Sequence, residues 1–389
     1  MCNKTLPTDR IGGVVVTDSS VRETAVTAPH RPLAEPVPDP LGTDRSRRRT
    51  TTWLVALVAV LVTTILVGVG VGAVSVPPGT VARIVLDHLL GRQPGAGISA
   101  AEDAIVWQVR LPRVLLGVLV GAGLAVCGVA LQAMVRNVLA DPYILGVNSG
   151  ASSGAAAAIL FGVGAGLAEY ALQVTAFLGA LAASLLVFAV ARTAGRVTSV
   201  RLLLAGVAVG YALYALTSFL IFASGSAEGA RSVLFWLLGS LGLAGWDWPL
   251  AVVGVVVMGT VVLLLGWGRR LDALSVGDET AHTLGVRPDR FRLQLLVVVA
   301  LCVGVVVAAS GSIGFVGLVV PHLARRAVGG THARVVPVAA LLGAILLVWA
   351  DIAARTLLAP QEIPIGILTA LVGAPFLLVL VRRLHARAA

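Results

Sequence analysis

Two ionisable residues stand inside an apolar run that should carry none: Asp351 and, four residues later, Arg355. A spacing of four puts both on one face of a helix, where they would pair with each other. An acid at membrane depth is also what a proton-coupled carrier needs. Asp351 is the one Asp or Glu lying well within an apolar run, and it already has a partner. Ion pairing is therefore the stronger reading of the two.

ATP hydrolysis would need a P-loop, whose lysine reaches the nucleotide phosphates. The only lysine in the 389 residues is Lys4, so ATP and its Mg can drive this protein only from another chain. No carboxylate pair or nucleophile–base pair points to catalysis. Cys127 and Cys302 fall in apolar runs and Cys2 follows Met1, which gives neither a disulfide framework nor metal-ligand spacing. The chain is thus expected to bind no cofactor and to be no enzyme.

A third group of polar residues forms the loop Gly268–Arg292, GRRLDALSVGDETAHTLGVRPDRFR. Asp278 is placed to N-cap a turn over Glu279–Leu284, and Gly285 to stop it. A charged, structured connection of this length is where an external motor would push. The bland alternative is a solvated connector.

The elements that must hold these groups are membrane helices. With 58% hydrophobic and 12% charged residues, the bilayer is the natural solvent. Apolar stretches of about 20 residues, enough to cross a hydrocarbon core, occur near 53–75, 114–135, 169–191, 202–223, 248–267, 293–310, 336–358 and 364–381. Two shorter, Gly-rich segments near 144–162 and 312–324 bring the expected total to ten crossings, an all-α polytopic fold. That topology collects most of the 29 Lys and Arg on one side, which the positive-inside rule makes cytoplasmic. Both termini are then cytoplasmic. Short interfacial helices are expected at Val81–Leu90 and near 226–241. Residues 1–50, rich in Pro, Thr, Asp and Arg, read as a disordered tail, and 51–389 as the membrane domain. The net charge of +10 comes without a basic stripe interleaved with aromatics, so nucleic acid is not an expected partner.

Four motifs interrupt the apolar pattern. Arg110-Leu111-Pro112-Arg113 opens the second span, its arginines expected to face water or headgroups. QAMVRNVLADPYILGVNSG over Gln132–Gly150 makes a tight turn, and SGSIGFVGLVVPHLAR over Ser310–Arg325 contains Pro321, expected to end or kink a helix. Glu362-Ile363-Pro364-Ile365-Gly366 and Gly373-Ala374-Pro375-Phe376 frame the last span.

In this order, from about residue 53 to the end, these motifs resemble the FecCD/BtuC-like permease family of bacterial ABC importers for iron–siderophore complexes, haem and vitamin B12. LLLAG at 202–206, FWLLGSL at 235–241 and LDALSVGDETAHTLGV belong to the same pattern. Val138 departs from it, standing where proline usually follows Arg-Asn, and the first fifty residues lie outside it. The resemblance implies ten spans per subunit and a dimer with a second copy or a paralogous permease. It also implies a cytoplasmic ATPase dimer below, a substrate-binding (lipo)protein above, and an iron–siderophore cargo crossing the inner membrane. It implies coupling to the ATPase through Leu271, Asp272, Ala273, Leu274, Gly277, Asp278, Glu279, Thr280, Ala281, Leu284 and Gly285. Docking of the binding protein falls to Arg110, Arg113 and Arg355, and an inner gate to Thr198, Ser199 and Val200.

Overall fold

Leu111–Val135 is the post around which the other helices stand. In the computed structural model, which describes residues 43–72, 74–92, 97–192 and 198–385, nearly every side chain of this helix is buried. The chain is helical because a segment in lipid must satisfy its N–H and C=O groups within itself. The helices are α1 Thr43–Gly70, α2 Pro78–Leu89, α3 Ala100–Ala104, α4 Leu111–Val135, α5 Val147–Phe161, α6 Ala171–Ala191, α7 Ser199–Ser224, α8 Ala227–Leu237, α9 Trp248–Gly266, α10 Gly268–Val276, α11 Asp278–Thr283, α12 Pro288–Ser310, α13 Val316–Val328, α14 His332–Thr356 and α15 Ile365–His385. The described residues contain no strand. Helices α2 and α8 are the two short helices expected between spans.

Eight of the helical segments are long and apolar enough to cross a membrane. The two Gly-rich segments counted toward ten crossings do form helices, α5 and α13, but of only 15 and 13 residues. At about 1.5 Å per residue they are roughly 20 Å long, short of a ~30 Å hydrocarbon core. Among the described residues, eight helical segments are thus long enough for full spans, and the two counted in addition to reach ten are shorter helices. Gly146 and Gly162, both with left-handed φ, bound α5 and set its length. Pro321 neither ends α13 nor stands at its start but lies inside it.

The boundary of the expected tail also moves. Residues 1–42 of it lie outside the described residues, but Thr43–Thr50 belong to α1. The hydroxyls of Thr50, Thr51 and Thr52 donate to the carbonyls of Ser46, Arg47 and Arg48, and the arginines between are good helix formers.

Helix α4 packs against α9, α12, α13 and α14, while α5 packs between α6 and α7. Small residues set these contacts. A Cβ on Gly121 would run into the Gly343 carbonyl of α14, and one on Gly128 into the Gly317 carbonyl of α13. In lipid, where helix association gains little from hydrophobicity, such close approach of backbones supplies the packing energy.

Candidate functional site

Between α3 and α4 the six residues Ile105–Arg110 form a single π turn, so Ala100–Val135 runs as one continuous helical rod. Pro112 lies just after the π turn, and its missing N–H leaves one carbonyl of that preceding turn without a helical donor. The arginines on either side of it turn inward. Arg113 donates from Nε to Asp351 Oδ1 at 2.9 Å, and from Nη1 and Nη2 to the Glu362 carboxylate at 3.1 and 2.9 Å. Arg355 donates from Nε to Asp351 Oδ2 at 2.9 Å, and from its two Nη atoms to Val71 O and Gly68 O at 2.8 and 2.9 Å. Arg110 donates to Val69 O and Gly70 O, each at 3.0 Å, and to Val74 O.

The expected Asp351–Arg355 pair is thus present, joined by an arginine from a distant helix. The reading of Arg110 and Arg113 as water-facing is overturned, since they are 7% and 9% exposed. The reason is electrostatic. The last carbonyls of α1 carry the negative end of its dipole, and the Asp351 carboxylate, 1% exposed, is flanked by Arg113 and Arg355 in place of water. In this arrangement none of the three arginines offers an unengaged fork to another protein. Docking through them requires exchange of an internal acceptor, and the half-exposed Glu362 is the one nearest solvent.

At the opposite end of α14, helices α10 and α11 form a bent hairpin. Gly277 joins them at φ 154° and ψ 163°, a conformation open essentially to glycine. Leu271, Ala273, Leu274 and Ala281 are buried and fix the hairpin to the membrane helices. Asp272 Oδ1 accepts from the backbone N–H and from Nδ1 of His332, at 2.9 and 2.6 Å. Burial would raise the Asp272 carboxyl, but these bonds outweigh it and hold it below the usual range. Asp278 accepts from Nη2 and Nη1 of Arg292 at 2.7 and 3.1 Å, with Arg136 at 3.9 Å. The Arg292 hydrogen bonds keep its carboxyl below the usual range.

Asp278 is therefore not the N-cap that its position suggests. It is the first residue of α11, Gly277 precedes it without a side-chain cap, and the carboxylate goes to the stronger, charged donor. Gly285, at φ 78°, does stop the turn, its N–H donating to His282 O at 3.0 Å. Glu279, Thr280, Val276 and Leu284 are exposed, the last two at 71% and 65%. Two exposed aliphatic side chains beside acids form a face suited to another protein.

The residues expected at the gate lie at the start of α7. The Thr198 side chain accepts from the Arg201 N–H, the N-cap bond of α7. Ser199 Oγ donates to Met134 O at 3.3 Å, tying α7 to the end of α4, and Val200 is 65% exposed. The rest of that turn, 193–197, lies outside the described residues. Farther along α7 is an open cavity of about 660 Å³, lined among others by Asp141, Tyr143, Ser149, Gly206, Tyr211 and Phe315. Tyr143 holds its wall by donating to Ile313 O and accepting from Ile313 N–H, both at 2.9 Å.

A helical shell, a glycine-packed centre and a charged hairpin outside the spans are the parts of a permease. The profile of the FecCD transport family matches residues 58–383. The chain belongs to this family. It is 44% identical over 292 residues to the cobalamin import system permease protein of Halobacterium salinarum, covering 75% of this chain and 77% of that one. It is 44% identical to the hemin transport system permease protein of Yersinia pestis, covering 73% and 86%. It is 40% identical to the Fe(3+)-citrate import system permease protein of Bacillus subtilis, covering 72% and 82%. A solved structure of a candidate metal-chelate type ABC transporter in an inward-facing conformation superposes with a TM-score of 0.74 at 35% identity, covering 86% of this chain and 99% of that one.

Within this FecCD permease, sequence reasoning missed Glu362, Arg292, Arg136 and His332 as parts of the two polar networks. Glu362 carried the clearest signal, an acid in the turn just before the last apolar run. Arg292 also had one, an arginine at the edge of a span and 3% exposed in the fold. His332 and Arg136 had none beyond their residue type.

Proposed function

We propose that this chain is the permease subunit of an ATP-binding cassette importer that moves a ferric siderophore complex across the bacterial cytoplasmic membrane. In this reading both termini are cytoplasmic and the chain itself hydrolyses nothing. Two ATPase subunits, with ATP and Mg, act on the α10–α11 hairpin. The single observation that carries the reading is the build of that hairpin. Its inner face is buried, two of its three acids, Asp272 and Asp278, are clamped to His332 at the start of α14 and to Arg292 at the start of α12, and its outer face exposes Val276 and Leu284. A push on the outer face is thereby transmitted to two membrane helices rather than absorbed by a loose loop.

Other features support the rest. The cavity beside α7 has one open side, where Tyr211 and Tyr214 are 73% and 68% exposed. A second permease copy, identical or paralogous, would close it into a path. A binding protein on the far side would deliver the cargo, docking near Glu362 with Arg110, Arg113 and Arg355 as the groups behind it. The 40% identity to a permease named for ferric citrate and the likeness to a metal-chelate type transporter favour an iron chelate. The 44% identical relatives named for cobalamin and hemin support a second reading, in which one of those is the cargo. Ion-coupled transport is disfavoured because Asp351 is committed to two arginines.

The test is reconstitution of the chain with its ATPase and binding protein in liposomes, with labelled ferric siderophore, cobalamin and hemin offered in turn. ATP-dependent uptake of the siderophore alone is the expected result. Uptake of another cargo overturns the substrate, and uptake by the isolated chain down a proton gradient overturns the mechanism.

A further inference from the structure

Beside the α10–α11 hairpin is a second cavity, separate from the one along α7. It measures about 210 Å³ and is lined by Gln132, Arg136, Asn137, Ser275, Arg325 and His332, among others. Its charges are unbalanced. Arg325 is half-buried, and its recorded partner is a neutral one, Gln132 Oε1 at 2.6 Å. Among the described residues no ion pair includes Arg325. Gln132 cannot turn away from it, because its amide nitrogen is directed at the carbonyls of Ala140, Gly317 and Leu318. Arg136, held at a left-handed φ of 53°, reaches a carboxylate only at 3.9 Å, and that carboxylate, Asp278, is already held by Arg292.

The third cavity group is independent of the arginines. His332 is 3% exposed. Its Nδ1 faces Asp272, an ionised carboxylate that can only accept, so Nδ1 donates. Nε2 is then left buried with no partner. A buried polar atom without a partner is uncommon, and His332 lines the cavity together with the two arginines. A group that fills the cavity must supply negative charge to two guanidinium groups.

We infer that this cavity binds a phosphate-class oxyanion. A phosphate presents anionic oxygens to the paired donors of arginine. Ser275 and Asn137 add neutral hydrogen-bonding groups at the rim. The phosphate has two available sources, the headgroup of an anionic lipid or free phosphate in solution. Basic pockets between membrane helices take headgroups of the first kind. Because Ser275 belongs to α10 and His332 opens α14, a bound anion would fasten the hairpin to the membrane helix it moves. The site does not depend on which cargo the permease carries.

The full-length chain in detergent tests this with two probes. Native mass spectrometry reads retention of phosphatidylglycerol against phosphatidylcholine, and equilibrium binding reads labelled inorganic phosphate. The wild type should hold at least one probe, and Arg325→Gln and Arg136→Gln should each weaken it about tenfold or more, the usual effect of deleting a charged hydrogen bond. Arg290→Gln, outside the cavity, should not. Retention of phosphatidylglycerol assigns a headgroup, and binding of phosphate without lipid retention assigns a free anion. Should Arg325→Gln fail to fold, Arg136→Gln, altered at an exposed side chain, still decides the matter. Absence of binding of both probes to the wild type, or equal binding by wild type and Arg136→Gln, overturns the inference.

Discussion

Replacing Asp351 with Asn keeps the size of the side chain and one carbonyl oxygen but removes the charge that Arg113 and Arg355 share. Asp351 is 1% exposed and the two arginine side chains 10% and 8%, so water cannot take over. Each lost charge-assisted hydrogen bond is worth about 1.5–3 kcal/mol, or roughly 3–6 kcal/mol for two. Removing one member of a buried pair typically costs about 3–5 kcal/mol, in agreement. Glu362, by contrast, is 50% exposed, and its replacement by Gln should cost about 1 kcal/mol or less. Thermal unfolding of the detergent-solubilised chain should therefore rank wild type, Glu362→Gln and Asp351→Asn in that order, with a wide gap before the last. Arg355→Met added to Asp351→Asn should recover part of the loss by removing one orphaned cation. In liposomes with the ATPase and binding protein, whatever Asp351→Asn remains folded should still take up cargo with ATP. Equal stability of the two single variants would refute the network as an energetic unit. Full stability of Asp351→Asn with complete loss of transport would instead make Asp351 a proton carrier.

Gly277→Ala forces a Cβ onto a backbone conformation that costs about 1–3 kcal/mol outside glycine; it should lower uptake per ATP hydrolysed while leaving membrane insertion intact, as measured in proteoliposomes. The Asp278 carboxyl is held low by Arg292, so its contribution is fully present at neutral pH and is lost only as pH falls through that lowered value. Amide exchange of Ala281, whose N–H donates to Gly277 O, should rise in acid below roughly pH 4, and Asp278→Asn should exchange fast at all pH values. Gly128→Leu puts a side chain into the Gly317 carbonyl and should destabilise by about 1–3 kcal/mol or more, seen as loss of the monodisperse peak on size exclusion, whereas Gly259→Leu, with open space around it, should elute as wild type.

The helical class and most boundaries were legible because hydropathy in lipid is a one-dimensional property. Any run of about 20 apolar residues must close its own hydrogen bonds, and eight such runs became eight spans. The short helices of the charged loop and their stop at Gly285 were legible too, whereas the joint at Gly277 came only from the fold. The lengths of α5 and α13 were less so, because glycines that pack helices and glycines that end them look alike in sequence. Asp278 was misread as a cap because its local position suits one, while its actual partner, Arg292, is 14 residues on.

What the sequence determined by itself was the solvent of the protein, the existence of a charged, structured loop between two long apolar runs, and the pairing of Asp351 with Arg355, which lie one helical turn apart. What only the tertiary structure decided was the direction of Arg110 and Arg113, the entry of Glu362 into their network and the meeting of Arg136, Arg325 and His332 around one cavity. Those contacts join residues as much as 249 positions apart. Charge and hydrogen-bond satisfaction act through space, and where an arginine finds its acceptor depends on which helix ends the fold brings beside it.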